Sequence, residues 1–202
     1  MDVESHKRSH KPVVHLTESG EVKGAHQGYY VPQHPDKIIG SPAELIYRSG
    51  WERDLCRWCD DNPNVRKWGI EVAKIEYRDP GNLDFDELRR LQLNPADPSI
   101  WPVRSYFIDF YIEFDKSDDD GDEDSDGASR KLLVEVKPKA QTIRPVPPQS
   151  TAKLKEQKRF VLDCRTYLTN EAKWKAAKAW ADSHGMKFVV WTEDTLTKLG
   201  IM

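Results

Sequence analysis

The chain has 202 residues, of which 38% are hydrophobic and 32% are charged, and it carries a formal net charge of −3. At the usual ~150 residues per domain, this length fits one domain with extensions, and a mean hydropathy of −0.76 is typical of a globular protein with a very polar surface. No run approaches the ~18 apolar residues of a membrane span, and the start MDVESHKRSHKP lacks the apolar segment of a signal peptide, so we expect an intracellular protein without a membrane segment.

The start of the chain is expected to form an extended N-terminal arm. Residues 1–40 contain five of the six histidines, separated by Gly, Pro and Ser, and show no helix or strand period. The histidines lack the compact spacing of metal ligands, so a solvent-exposed tail is preferred over a metal site.

A folded domain is predicted over residues 41–202, and it begins with a helix. Residues 41–44, SPAE, contain an N-cap, a proline at the first helical position and the glutamate of a capping box. They predict a helix over residues 41–60, which the Asn-Pro sequence at residues 62–63 ends.

Two short strands and an insertion follow. The strands are predicted over residues 65–68 and 70–77, and the sequence DPGN at residues 79–82 predicts a turn. Residues 82–102 contain a short helical pattern, FDELRRLQL, and are interpreted as an insertion between two strands.

The clearest strand spans residues 103–114. Its alternation predicts one face made of Tyr106, Ile108, Phe110, Ile112 and Phe114. Asp109 then lies on the opposite face, within an apolar run where an acid is costly to bury unless it is paired or binds a metal.

A second insertion, over residues 115–129, is strongly acidic. Its sequence DKSDDDGDEDSDG has eight acids and one lysine, so the rest of the chain has four more bases than acids. Three of its aspartates match the first positions of a calcium-binding loop, but position twelve is Leu133 instead of a bidentate glutamate. We therefore predict a hairpin tip leading into a strand over residues 131–137, antiparallel to the preceding one.

The C-terminal part is predicted to contain two helices, a strand and a last helical turn. The helices span residues 151–168 and 171–184, and the strand and turn span residues 187–191 and 193–199. The apolar positions of the first helix include Leu154, Val161, Leu162 and Leu168, and Gly185 caps the second. This order of elements predicts an α/β fold with a mixed central sheet flanked by helices.

An acid and a base share one face of the strand KLLVEVK at residues 131–137. Because Leu132, Val134 and Val136 fill the core, Glu135 and Lys137 point to the opposite side. If the Asp109 face turns the same way, two carboxylates from neighbouring strands converge. A plain surface salt bridge is the alternative for the acid and the base.

Converging carboxylates and a lysine indicate metal-dependent chemistry. Two close carboxylates repel unless one is protonated or a cation lies between them, and their hard oxygens favour Mg²⁺ or Mn²⁺. A neighbouring lysine can orient an attacking water and balance charge on a pentavalent phosphate. The set suits phosphodiester hydrolysis.

Short motifs of the chain occur in a characteristic order. They are Tyr47-Arg48-Ser49 followed by Glu52, Arg57-Trp58-Cys59-Asp60, Asn62-Pro63 with Val65, Tyr106-Phe107 with Asp109-Phe110-Tyr111, and Glu135-Val136-Lys137-Pro138. The motifs resemble the PD-(D/E)XK nuclease superfamily and, more narrowly, the head completion nucleases of T-even-type tailed phages. The resemblance runs from about residue 41 to the C-terminus and implies a restriction-endonuclease-like core. End-cleaving endonuclease subunits of heteromeric transposases are similar over the same motifs.

The resemblance implies a role for each matched residue. Asp109 and Glu135 would bind Mg²⁺ or Mn²⁺ with the help of the Val136 carbonyl, and Lys137 would position the nucleophilic water. Glu52 would hold a metal-bound water or a second ion. Gln141 matches a polar position often found after this strand in such nucleases, where it would touch phosphate or water.

Basic residues are the candidate DNA contacts. Residues 137–178 contain eleven Lys or Arg against three acids, a pattern that suits a polyanion and also fits a solvated helical face. The candidates are Arg48, Lys139, Arg144, Lys153, Lys155 and Lys158, each individually little better than an ordinary surface base.

The function implied by the resemblance is that of a metal-dependent deoxyribonuclease leaving 3′-hydroxyl and 5′-phosphate ends. It would process packaged double-stranded DNA in phage head completion and head–tail joining, with head, portal or neck proteins as partners. Its expected location is the host cytoplasm during assembly, with virion association at the head vertex as a further option. A transposase end-cleaving subunit and a non-catalytic capsid-vertex protein are the alternatives.

Overall fold

The computed structural model describes residues 27–115 and 130–202. Its strands and helices, in chain order, are β1 (Gly28–Tyr29), β2 (Ile46–Tyr47), α1 (Gly50–Asp61), β3 (Val65–Ile70), β4 (Lys74–Arg78), α2 (Phe85–Arg90), β5 (Val103–Phe107), β6 (Phe110–Phe114), β7 (Lys131–Val136), α3 (Leu154–Ser183), β8 (Lys187–Trp191) and α4 (Glu193–Lys198). The arm before residue 27 and the acidic insertion over residues 116–129 lie outside the described residues.

A mixed sheet with the strand order β3-β6-β7-β8 lies at the centre of the fold. β6 pairs antiparallel with both β3 and β7, whereas β7 and β8 run parallel. The predicted mixed α/β architecture is therefore confirmed, as is the antiparallel hairpin of β6 and β7. The strands β1 and β2 form one separate ribbon, and β4 and β5 form another.

Helices cover both faces of this sheet. α1 packs Leu55 and Cys59 onto one face, in a cluster with Phe110. The C-terminal half of α3 packs Ala177 and Ala181 onto the other face.

The alternation predicted for β7 is confirmed. Leu132, Val134 and Val136 belong to the cluster on the α1 side. Leu133 lies on the α3 side, and Glu135, two residues later on the same strand face, points to that side as well.

The single strand predicted over residues 103–114 is wrong, because the chain leaves the sheet in the middle. β5 pairs with β4 in the outer ribbon, and β6 begins only at Phe110. Two backbone hydrogen bonds fix the segment between β5 and β6. The Ile108 amide donates to the Ala73 carbonyl at 3.2 Å, and the Glu71 amide donates to the Asp109 carbonyl at 3.2 Å. As a result Ile108 packs on the α3 side and Phe110 on the α1 side, although one shared face was predicted.

The predicted start of the first helix at Ser41 is also wrong. Pro42–Glu44 forms only a 3₁₀ turn, and β2 follows it. α1 begins nine residues later, where Ser49 Oγ accepts a hydrogen bond from the Glu52 amide at 3.2 Å. The capping box of this helix is therefore Ser49 with Glu52.

α3 is one helix of 30 residues, where two helices had been predicted. Thr169 and Asn170, at the predicted break, keep helical geometry because tertiary contacts use their side chains: the Thr169 hydroxyl donates to Asp79 Oδ1 at 2.6 Å, and Asn170 is buried. The left-handed Gly185, with φ of 66°, follows the helix end as predicted. Among the described residues, no helix is apolar enough over a sufficient length to cross a bilayer.

The N-terminal half of α3 leaves its apolar side chains in solvent. Exposure ranges from 44% to 65% for Leu154, Val161, Leu162 and Leu168. The apolar positions predicted for this half therefore do not form a core stripe.

The described part of the predicted arm, residues 27–40, packs onto the domain. The buried carboxylate of Asp60 accepts hydrogen bonds from the Tyr30 hydroxyl at 3.0 Å, the Gln33 amide at 2.7 Å and the His34 amide at 3.1 Å. Ile38 is buried in the core beside α1. This segment therefore has tertiary contacts that its polar, aperiodic sequence does not predict.

Candidate active site

Asp109 lies at the point where the chain enters the central sheet, directly before β6. β6 begins at Phe110, which lies opposite Val134, so among the described residues the end of β7 has no strand partner on this edge. The Val136 amide donates instead to Asp109 Oδ2 at 2.8 Å. The carboxylate thus takes the position that a backbone carbonyl would have in a longer strand pair.

Glu135 and Lys137 complete a compact charged cluster with Asp109. Lys137 Nζ lies 3.0 Å from Glu135 Oε1 and 3.8 Å from Asp109 Oδ2. The Lys137 amide donates to the Trp191 carbonyl at 3.0 Å, which continues the pairing of β7 with β8. The structure therefore brings together the two carboxylates and the lysine that the strand pattern predicted to converge.

Glu52 lies at the N-terminal end of α1 and faces the same cluster. Its Oε2 accepts a hydrogen bond from the Arg48 amide at 2.7 Å, and its Oε1 accepts one from the Ser49 hydroxyl at 3.1 Å. Burial raises the pKa of Glu52, and the charge of Asp109 raises it further, whereas the Arg48 amide lowers it. The capping box therefore orients a carboxylate that interacts electrostatically with the strand residues.

Burial is the largest cause of the raised pKa of both strand carboxylates. It raises the pKa of Asp109, against the opposing effect of the Lys137 ammonium and the Val136 amide. Burial and the charge of Asp109 raise the pKa of Glu135 to about 7. Burial alone would lower the pKa of Lys137, but the two carboxylates raise it above its ordinary value. Because the two carboxylates lie close together with little solvent, binding of a cation or a proton between them is favourable.

The donor set fits a divalent cation. Glu135 is 2% exposed, and among the described residues its Oε2 has no hydrogen-bond partner. Because the N–H and C=O of a strand residue point to the same edge, the Val136 carbonyl faces the gap that Asp109 occupies. No group of three or more His, Cys, Asp or Glu side chains in the described ranges forms a complete metal site. Two carboxylates and a carbonyl suit Mg²⁺ or Mn²⁺, which commonly take their other ligands from water and phosphate.

Gln141 lies apart from this cluster along the chain, in the 3₁₀ turn Lys139–Gln141. With Arg144 and Lys155 it lines a cleft of about 950 Å³ between residues 140–148 and the N-terminal half of α3. The cleft begins at Ala140, three residues after Lys137, and Asp109, Glu135 and Lys137 do not line it.

The other predicted DNA contacts fall into two groups. Arg48 forms an ion pair with Glu71 at 3.0 Å, and Lys139 Nζ lies 2.6 Å from Asp194 Oδ2. In contrast, Lys153 and Lys158 are exposed at the N-terminal end of α3. Arg48 and Lys139 must break these ion pairs before they can bind a DNA phosphate. Lys153 and Lys158 can bind one directly.

Lys173 is a cation near the site that sequence reasoning missed. It lies on α3, and its Nζ is 5.7 Å from the ring centroid of Tyr77 and 5.5 Å from that of Tyr106. In the sequence EAKWKAAK nothing distinguishes it from its neighbour Lys175. Only the packing of α3 against the β4–β5 ribbon singles it out.

The chain is similar to known nucleases. Residues 62–193 match the family described as "TnsA-like endonuclease N terminal". The "Head completion nuclease" of Enterobacteria phage T4 is 32% identical over 176 residues, which cover 87% of this chain and 97% of that protein. Among solved structures, none matches the chain.

The matched segment contains β3 to β8 and α3, and with them Asp109, Glu135 and Lys137, whereas Glu52 of α1 precedes it. The fold is accordingly the restriction-endonuclease-like α/β fold that the sequence motifs implied. On both matches, the chain belongs to the nuclease family that includes the T4 head completion nuclease and the TnsA-like endonuclease N-terminal domain.

Proposed function

We propose that the protein is a divalent-metal-dependent deoxyribonuclease that acts on packaged DNA during phage head completion. The observation that carries the proposal is the half-buried carboxylate of Asp109 beside the buried carboxylate of Glu135, both in contact with Lys137. Among the described residues, one oxygen of Glu135 has no hydrogen-bond partner. A nuclease site needs this combination, because it must hold a cation and a phosphate in one place.

Asp109, Glu135 and the Val136 carbonyl would hold the cation, which is Mg²⁺ or Mn²⁺. When bound, the cation supplies Lewis-acid polarisation of the phosphate and lowers the pKa of a water molecule. Glu52, oriented by the capping box, adds a carboxylate for a water molecule or a second ion.

Lys137 would position the attacking water. Paired with two carboxylates it is an ammonium group, and therefore donates hydrogen bonds. The water oxygen forms a bond to phosphorus, and the bond from phosphorus to the 3′ oxygen breaks. The proton lost by the water passes to solvent, and the 3′ oxygen takes up a proton from solvent. The products are a 3′-hydroxyl and a 5′-phosphate.

The path of the DNA would follow the basic residues beyond β7. Gln141 and Arg144 begin the cleft beside α3, and Lys155 lies across it. Lys153 and Lys158 extend the same basic surface, while Arg48 and Lys139 border the site from other elements. Contacts of this kind fix the position of a duplex without reading its sequence.

The place of this nuclease in phage assembly rests on the T4 relative, whose printed name is that of a head completion nuclease. Coverage of 97% of that protein favours the phage role over that of a transposase end-cleaving subunit. We propose action on double-stranded DNA at the head vertex in the host cytoplasm, with head, portal or neck proteins as partners and with the finished virion as a further location.

The proposal is tested by cleavage of supercoiled and linear duplex DNA with Mg²⁺, Mn²⁺ or EDTA. Wild type is compared with Asp109→Ala, Glu135→Gln and the control Glu76→Gln, an exposed glutamate on β4. We expect metal-dependent cleavage by wild type and the control, and a loss of at least ~100-fold in the two site variants. Survival of closed circles would indicate exonuclease action.

Cleavage in EDTA, or equal cleavage by wild type and Glu135→Gln, would contradict the proposal. Binding of DNA without cleavage in either metal would instead support a structural vertex protein. For the phage role, a phage with Glu135→Gln at this position should accumulate DNA-filled heads without tails.

A further inference from the structure

Lys173 is held by aromatic rings instead of by a carboxylate. Its ammonium lies over the rings of Tyr77 and Tyr106, which meet edge to face with centroids 5.8 Å apart. The Tyr106 hydroxyl donates to the Lys173 carbonyl at 3.1 Å. Tyr106 therefore fixes both the backbone and the ammonium of this lysine.

The ammonium lies on the side of the sheet to which Glu135 points. Tyr77 and Tyr106 belong to the apolar cluster on the α3 side of the sheet, the side to which Glu135 points. Burial lowers the pKa of Lys173, and the charge of Glu135 opposes this effect. Lys173 and Glu135 therefore lie on one side of the sheet and attract each other electrostatically.

No carboxylate among the described residues lies within ion-pair distance of Lys173 Nζ. Lys137 differs, because it contacts both Asp109 and Glu135, and Lys178 on the same helix pairs with Asp182 at 2.9 Å. A cation on an aromatic face keeps its N–H groups available for an oxygen ligand.

The net charge of the site with substrate bound is compatible with one more cation. The carboxylates of Glu52, Asp109 and Glu135 would be neutralised by Lys137 together with one divalent ion. Lys173 then supplies the positive charge that matches the single negative charge of a phosphodiester.

We propose that Lys173 is a second cationic residue of the active site and donates a hydrogen bond to a non-bridging oxygen of the DNA phosphate. The inference rests on the proposed nuclease function and names a residue outside the motifs that define it. Because the charge on those oxygens increases in the pentavalent state, the contact strengthens as the reaction proceeds.

The test compares Lys173→Met, Lys173→Gln and Lys173→Arg with the control Lys175→Met. Lys175 lies on the same helix and is exposed. Lys175→Met therefore removes the same charge from the same helix, but at a different location. The first readout is the single-turnover cleavage rate at saturating enzyme with Mg²⁺. The second is the dependence of duplex binding on salt concentration, measured with Ca²⁺ in place of Mg²⁺.

We expect Lys173→Met and Lys173→Gln to lower the rate about 100-fold, as loss of one preorganised donor does, and to reduce the salt slope by about one. Lys173→Arg should recover part of the rate, since it keeps the charge. The control should stay within twofold of wild type in both readouts.

Wild-type rate and wild-type salt slope in Lys173→Met would overturn the inference. Loss of the cooperative unfolding transition in both neutral variants would assign the lysine to packing and would also overturn it. If wild type binds DNA but does not cleave it, the nuclease proposal fails. In that case a reduced salt slope in Lys173→Met still supports the phosphate contact, and an unchanged slope rejects it.

Discussion

The Val136 amide donates a 2.8 Å hydrogen bond to Asp109 Oδ2, and this bond ties the first candidate metal ligand to the strand that contains the second. The contact requires an acceptor but not a negative charge. Structure and activity at this position can therefore be separated by substitution.

Asp109→Asn should fold as stably as wild type, because its amide oxygen can still accept from Val136. Its cleavage rate should fall at least ~100-fold, because the charge that binds the cation is lost. Asp109→Ala should lose activity equally and, in addition, about 1–2 kcal/mol of stability from the unsatisfied amide. Urea unfolding beside the cleavage assay distinguishes the two, and an active Asp109→Asn would rule out the charge requirement.

The raised pKa of Glu135 predicts an unusual pH dependence of the stability of the metal-free protein. Its carboxyl ionises near the ordinary value of 4.5 in the unfolded chain and near 7 in the folded protein. Between these values the folded protein binds more protons, so the free energy of unfolding falls as the pH rises through this window. The loss should reach roughly 3 kcal/mol, at ~1.4 kcal/mol per pKa unit.

Denaturation in EDTA across this pH range tests the effect. Glu135→Gln should flatten the curve, while Glu76→Gln should follow wild type. Adding Mg²⁺ or Mn²⁺ should stabilise wild type most at the upper end of the window, because the ionised carboxylate binds the cation. Parallel curves for wild type and Glu135→Gln would contradict this prediction.

Ser49 and Ser41 provide a matched pair for the helix cap. Ser49 Oγ caps α1, whereas the Ser41 side chain makes no cap hydrogen bond. Ser49→Ala should therefore lower the unfolding free energy by about 1 kcal/mol, and Ser41→Ala should have almost no effect. Ser49→Ala should also reduce cleavage, since Glu52 loses the hydroxyl bond that orients it. Equal thermal shifts in the two variants would count against this assignment.

These two serines show where sequence reasoning reached its limit for the first helix. Both SPAE and SGWE fit a capping box, so local chemistry does not decide between them. Pairing of Ile46 and Tyr47 with β1 decides it, and that pairing is not local.

The site was predictable to the extent that it depends on alternation within one strand. Glu135 and Lys137 fall on one face of β7 for that reason, and the structure shows them in contact at 3.0 Å. The convergence of Asp109 depends on a strand break that alternation does not reveal. Lys173 depends wholly on which helix face meets the tyrosines, and so lies beyond single-sequence patterns.

Asp79 joins the turn after β4 to α3, and its substitution should be among the most destabilising outside the core. Its buried carboxylate accepts from the Thr169 hydroxyl at 2.6 Å, from Asn82 Nδ2 at 3.1 Å and from the Gly81 amide at 3.0 Å. Asp79→Ala leaves these donors unsatisfied and should lower the unfolding free energy by about 2–4 kcal/mol.

Asp97 is the control for this prediction. It caps a similar 3₁₀ turn by accepting from the Ser99 amide at 2.8 Å, but it is exposed and forms no hydrogen bond with α3 among the described residues. Asp97→Ala should lower the unfolding free energy far less than Asp79→Ala does. A similar loss in the two variants, measured by urea unfolding, would show that the turn, and not the bond to Thr169, provides the stability.

The unbroken α3 has a consequence for the length of substrate that the enzyme needs. Lys155 and Lys173 lie on one rigid rod, about 27 Å apart along its axis at ~1.5 Å per residue. That distance equals about eight base pairs of B-DNA at ~3.4 Å each. A duplex that ran along α3 from a phosphate at Lys173 would need about this length beyond the cleaved bond to reach Lys155 as well. The two proposed contacts therefore imply a minimum length of substrate.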